Sequence, residues 1–319
     1  MKKNLKTIFF LFAALFLFLN STYEQQTNSV LPNLTGPYLG QKLPGMTPEV
    51  FAPGIVSRKD YHEHSSPAFS PDGKEVYWSA YCVVDGVENE RIFFSKLAGD
   101  KWTAPDIVEF TQESDGGCPT FSPDGNRLYF HSWRPYPFSE RFEHYNLYYV
   151  ERSPDGWGEP IKLSSTVNSD KGTWSPFCGP DGSLYFDSER EGVKGTGDIY
   201  HSRFVNSTFE EAERLGDSVN TKHREFSPYM APDGSFILFT RYTQKPKGNQ
   251  IYVSFRKPDG SWNRAVSLGE KIDLCKRARF PTLSPDGKYL FFCAFKDRNV
   301  DIYWVDAKII EELKPKALK

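Results

Sequence analysis

"SSPAFSPDGKEVYWSA", Ser65–Ala80, decides the fold, because the chain writes the same phrase four more times. The further copies are "GCPTFSPDGNRLYFHS" (Gly117–Ser132), "WSPFCGPDGSLYFDS" (Trp174–Ser188), "FSPYMAPDGSFILFT" (Phe226–Thr240) and "RFPTLSPDGKYLFFC" (Arg279–Cys293). Each keeps a frame Pro, two residues, a small residue, Pro-Asp-Gly and an alternating apolar run. The Pro of Pro-Asp-Gly falls at 71, 123, 180, 232 and 285, spacings of 52, 57, 52 and 53. One supersecondary unit is therefore copied five times.

The unit reads as four strands. Pro presets φ at the first turn position, Asp bonds its own backbone and Gly accepts positive φ, so Pro-Asp-Gly joins two strands as a hairpin. A loop of variable length then leads to a third strand ("RIFFSKL", "NLYYVER", "DIYHSRF", "QIYVSFR", "DIYWVDA"). A second turn leads to a fourth ("APDIVEF", "EPIKLSS", "EEAERLG", "RAVSLGE"). Repeated four-stranded units of about 50 residues predict an all-β chain folded as a β-propeller.

The fifth copy lacks a fourth strand and runs into "KIIEELKPKALK". A spare phrase at the front, "FAPGIVS" (Phe51–Ser57), resembles "TAPDIVEF" of the first copy and is expected to close the ring by pairing onto the last blade. That gives five blades; six blades with one degenerate copy is the alternative. The expected layout is a signal peptide over 1–22, a linker over 23–48, the propeller over 49–312 (repeats about 62–110, 115–164, 171–216, 223–270 and 277–312) and a tail over 313–319.

Lys2, Lys3 and Lys6 precede an apolar run from Thr7 to Leu19, the pattern of an export signal and too short for a membrane span. The protein is expected outside the cytoplasm, periplasmic or secreted, with no membrane span once the signal is removed, and as a monomer. Five Cys without regular spacing read as buried free thiols. The 319 residues carry a net charge of -2, which excludes a nucleic-acid binder driven by bulk charge. Aromatic residues at 16%, with 24 Gly and 23 Pro, favour strands and turns. No phosphate loop, nucleotide fingerprint or Ser-His-Asp wording is present.

The "SPDG" phrase followed by an apolar strand, and "FDSEREGVKGTGDIY" (Phe186–Tyr200) in particular, resembles the WD-like propeller repeats of exported TolB-type proteins over roughly Glu49–Asp306. The resemblance implies an exported propeller. Such propellers include envelope scaffolds, sugar-binding modules and polysaccharide-degrading enzymes. TolB-type propellers usually have six blades, and five copies depart from that pattern.

Function is expected at the mouth where first strands begin and second strands end, with the Pro-Asp-Gly face structural. His62, His64, His131, Trp133, Arg134, Trp174, Arg190, Arg224, Arg241, Arg277 and Arg279 gather there as candidate ligand-binding residues. Arg forks with aromatic faces suit a glycan, an acidic one above all; an envelope protein is the other expected partner. The competing reading is that these Arg and the rim carboxylates pair with each other. Asp115, Asp187, Glu189 and Glu225 are the candidates for the two carboxylates of a glycoside hydrolase, and a polysaccharide lyase would use the same mouth. No cofactor is expected; His62, His64, His131 and His223 are the residues that would serve a divalent metal.

Overall fold

The computed structural model describes residues 34–84, 86–134, 144–154, 156–190, 197–243, 248–272, 276–296 and 299–318. The expected signal peptide, Cys275 and most of the loop from Trp133 to Tyr145 lie outside these residues. Thr35–Lys319 forms one compact unit.

Five antiparallel blades of four strands follow the five copies. In the first, Glu75–Val84 pairs with His62–Glu63 and Ala68–Phe69 on one side and with Val87–Ala98 on the other; Asp106–Ile107 lies outermost. The second comprises Gly117–Phe121, Arg127–Ser132, Asn146–Ser153 and Ile161–Lys162. The third comprises Thr173–Cys178, Leu184–Ser188, Asp198–Ser202 and Glu213–Arg214. The fourth comprises Arg224–Met230, Phe236–Thr243, Gly248–Phe255 and Val266–Ser267. The fifth takes Lys276–Leu283, Tyr289–Lys296 and Asn299–Asp306 from its own copy and its outer strand, Glu49–Val50, from the front of the chain. The ring is closed as expected, and no sixth blade forms among the described residues.

The closing register differs from the expected one. Glu49 and Val50 pair with Trp304 and Tyr303, and the Phe51 amide donates to the Ile302 carbonyl at 2.7 Å. Val108, Leu163, Leu215 and Leu268 make the same bond to Ile92, Leu147, Ile199 and Ile251 in the other blades. The true counterpart of "APDIV" is therefore "TPEVF", Thr47–Phe51, and "APGIVS" is the link that follows. Its last residue, Ser57, accepts the Ile302 amide at 3.0 Å. Asn168 and Asn220 hold that place in the second and third blades, each accepting one amide (Leu147, Ile199) and donating to two carbonyls. Phe51 is fully buried, with its ring 5.0 Å from Phe291 and 5.2 Å from Trp304. Burying a Phe stabilises by about 1.5–3 kcal/mol, so the clasp is held by packing as well as pairing.

Blade-to-blade contact is built on one repeat position, the second-strand residue opposite Ile92, Leu147, Ile199, Ile251 and Ile302. It holds Ser79, His131, Asp187, Thr240 and Cys293. In blades two to five the innermost strand bulges at the residue before its frame Pro, and that residue (Cys118, Ser175, Ser227, Phe280) has φ of 46–57°. A left-handed non-glycine residue costs on the order of 1–2 kcal/mol. The offset is a bond across the blade boundary: these four amides donate to Ser79, His131, Asp187 and Thr240 at 3.1–3.3 Å. At the fifth boundary Ser66 Oγ donates to the Phe280 carbonyl instead.

The Pro-Asp-Gly glycines all have positive φ, 69–82°, as the turn requires. That end also encloses an apolar well of about 340 Å³, lined by both prolines of all five repeats with Phe69, Phe121, Phe177, Tyr229 and Leu283. Cys82, Cys118, Cys178 and Cys293 are free and buried.

Candidate functional site

The opposite mouth holds a polar cleft of about 530 Å³. His64, His131, Trp174, Asp187, Lys222, His223, Arg224, Phe226, Tyr242, Asn249, Arg279 and Phe280 line it, with Ser175. Blades one to five all contribute, through first-strand starts and second-strand ends, because antiparallel order returns both to the same mouth.

Glu90, which the sequence did not single out, organises the floor. It is the fourth residue of the third strand of blade one, Val87–Ala98, and is 1% exposed. Its Oε1 accepts from Ser79 Oγ at 2.7 Å and meets His64 Nδ1 at 2.9 Å, while Oε2 meets His131 Nε2 at 3.1 Å. Burial alone would raise this carboxyl, but the adjoining His64 and His131 hold it well below the usual carboxylate range. Room for it comes from Gly117: a Cβ there would fall 2.0 Å from Oε1. The Gly116-Gly117 pair was the signal for Glu90, legible only once the two blades are set side by side.

His64, Glu90 and His131 bring three donor groups within 4.8 Å, the one such group of three among the described residues. A divalent ion on His131 Nε2 would require a proton on Nδ1, yet the Ser175 amide is aimed at Nδ1 from 3.3 Å. Burial lowers the His131 imidazole, but Cys118 and Glu90 push it well above its ordinary value; Glu90 faces Nε2 while the Ser175 amide points at Nδ1. The trio thus fits a hydrogen-bonded relay better than a metal centre. Of the other His candidates, His62 is exposed opposite Tyr81, and His223 lines the cleft. By pairing, His62 corresponds to Arg224 and Glu63 to Glu225, because blade one carries an extra residue before its frame Pro.

Three candidate Arg are engaged in one structural pattern. Arg134 lies over Phe130 and Tyr148 (5.2 and 5.4 Å) and donates to the Phe110 carbonyl at 2.8 Å. Arg190 lies over Phe186 and Tyr200 and donates to the Val167 carbonyl. Arg241 lies over Phe239 and Tyr252 and donates to the Val219 carbonyl at 2.8 Å. Each guanidinium staples the end of the preceding blade to an aromatic pair, a use that needs the flat group. Arg277 is exposed over Phe295 and stands outside the cleft lining.

The four candidate carboxylates do not form an opposed pair. Asp115 accepts the Trp133 amide (2.7 Å) and Ser132 Oγ (3.1 Å), fixing the root of its loop. Glu225 is fully buried against Arg241 (2.5 Å) and Thr221; burial raises its carboxyl against these partners. Glu189 is half-buried beside Arg190, outside the cleft lining. Asp187 alone lines the cleft, with burial raising it and Arg224, 3.9 Å away, opposing. Glycoside hydrolysis needs two carboxyls flanking one bond, so this arrangement does not favour that chemistry. Trp174 forms one cleft wall, 6.3 Å from Tyr145, which also packs on Trp133 at 5.8 Å.

The structure defines an all-β, five-bladed propeller with an aromatic-walled, polar cleft at one mouth. The chain is similar to the Tol-Pal system protein TolB of Francisella tularensis subsp. tularensis (strain WY96-3418), 23% identical over 245 residues. The match covers 77% of this chain and 48% of that protein, so the chain spans about half the length of its curated relative. This supports a TolB-like propeller. Among solved structures, a thermostable family-43 glycoside hydrolase superposes with a TM-score of 0.50 at 12% identity, over 78% of this chain and 94% of that one. An endo-arabinase from Bacteroides thetaiotaomicron gives 0.49 at 12% identity, over 83% and 96%. These likenesses concern the fold. No protein-family profile matches the chain.

Proposed function

We propose that this protein is an exported binding module that holds a glycan in the mouth cleft. The observation that carries the reading is the cleft itself: Trp174 and Tyr242 offer aromatic faces beside Lys222, Arg224, Arg279 and the Glu90-held His64. Aromatic faces pack on sugar C–H groups and guanidinium forks bind oxygens in pairs, a combination that a self-satisfied rim does not need. The basic, apolar start of the chain supports export to the periplasm or beyond. Among the described residues no helix is long and apolar enough to cross a membrane.

A second reading is favoured by the similarity to a Tol-Pal system protein: the mouth receives another envelope protein, and the propeller is a scaffold. The deciding experiment is a glycan array probed with the mature protein and with Trp174→Ala. Glycan binding by the wild type, reduced at least tenfold in the variant, is the expected result. Equal binding by both removes the mouth from the function; absence of any glycan binding, with recovery of an envelope protein by cross-linking, replaces the glycan reading with the scaffold one. The same preparations, incubated with acidic and neutral polysaccharides, should release no reducing ends or unsaturated products, and release would establish the enzyme reading.

A further inference from the structure

The mouth cleft is cationic in a chain whose net charge is -2. Lys222, Arg224 and Arg279 line it, and the one acid among its described lining residues is Asp187, whose carboxyl burial pushes up. Arg224 and Arg279 differ from the three stapling Arg in how their donors are used. Each has a buried Nε–H without a hydrogen-bond partner, whereas Arg134, Arg190 and Arg241 all donate to a carbonyl of the preceding link. A buried charged donor left unmade is costly, so each of these two calls for a partner that the folded chain does not supply.

Both groups are held by rings beneath them: Arg224 Cζ stands 5.3 Å from the Phe226 centroid, and Arg279 Cζ stands 5.1 and 5.5 Å from those of Phe280 and Phe295. A guanidinium so held has lost little further freedom to give up on binding.

We infer that Arg224 and Arg279 form a clamp for a carboxylate, so that the glycan of the mouth carries carboxylate groups, as in a uronic-acid oligosaccharide. The inference rests on the glycan reading above and names the group recognised. A planar carboxylate accepts two parallel N–H bonds from one guanidinium edge. Trp174 and Tyr242 on the same cleft supply the faces for the sugar ring.

The test is calorimetric titration of the mature protein with galacturonate and glucuronate oligosaccharides, their neutral galactose and glucose counterparts, a sulfated galactan oligosaccharide and an Asp/Glu-rich peptide. Wild type is compared with Arg224→Gln, Arg279→Gln and the corresponding Lys variants, each checked by thermal melting. The expected result is binding of an acidic oligosaccharide, about 10- to 100-fold weaker in each Gln variant and only partly restored by Lys, which keeps the charge without the fork. Neutral sugars binding as well as acidic ones, unchanged by the Arg substitutions, would overturn the clamp and leave the glycan reading standing. Arg-dependent binding of the peptide alone would overturn the glycan reading. Binding of the sulfated sugar alone would overturn the carboxylate assignment, and no Arg-dependent binding of any probe would overturn the clamp outright.

Discussion

Glu63 makes ring stability depend on pH in a way that can be calculated. It occupies the place of Glu225, but where Glu225 faces Arg241 across the strand pair, Glu63 faces Ala80. One oxygen accepts the Arg58 amide at 3.0 Å; the other, Oε2, is buried without a partner. Burial pushes this carboxyl from 4.5 up to about 8, against the Arg58 bond, so it is held as the neutral acid in the folded protein. The unfolded chain releases the proton near 4.5 and the folded chain near 8. Between those values the folded state binds more protons, and stability falls as pH rises. From pH 5 to pH 8 the loss amounts to about 3 × 1.36, roughly 4 kcal/mol, levelling off above pH 8. Glu63→Gln keeps the shape and removes the titration. Urea unfolding followed by fluorescence of the buried Trp78 and Trp304 should show variant and wild type converging near pH 4.5. Their difference should widen by about 1.4 kcal/mol per pH unit to pH 8. A difference that stays flat across this range would refute the assignment of Glu63 as a buried neutral acid.

Four further outcomes follow from the packing. Phe51→Ala should destabilise the ring by about 3–5 kcal/mol in chemical denaturation and expose the edge of blade five to aggregation, read by light scattering. Gly117→Ala should displace Glu90 from His64 and His131 and lower the melting temperature, whereas a Cβ at Gly116 would press on Thr111 at 2.6 Å, with Phe130 and Ile92 beyond it, and not on Glu90. Glu90→Gln should remove the anion beside His131 and leave its imidazole titration, followed by NMR, at lower pH than in the wild type. Arg190→Ala should cost about 1.5–3 kcal/mol of stability through its lost staple while leaving glycan affinity within a factor of two.

The blades were legible because each copy carries its own turn chemistry: Pro-Asp-Gly needs no partner to be read. Closure was legible as an event but misplaced by five residues. "APGIV" and "APDIV" agree in letters, whereas the strand is fixed by the bond of Phe51 to Ile302, which depends on the far end of the chain. The same limit governed the site. Arg134, Arg190 and Arg241 share a sequence position with the mouth, but the aromatic pair beneath each and the carbonyl it reaches belong to tertiary packing. His62 and His223 each stand five residues before their frame Pro, yet by pairing His62 corresponds to Arg224, because blade one holds one residue more. Glu90 went unread because its partners lie on blades one and two together, and the glycine that admits it stands 27 residues away in the chain.

The outer strand of the last blade has a consequence for how the molecule is made. Ser57 and Ile302, which lock the seam, are 245 residues apart, so the segment that leaves the ribosome early must wait for almost the whole chain before it has a partner. Closing so long a loop is slow, and until it closes the growing protein has an open sheet edge at each end. A chain cut short anywhere before Ile302 keeps that edge permanently. The seam therefore ties burial of the last open edge to the making of blade five, because Glu49–Phe51 has no strand to join until Ile302–Trp304 is in place.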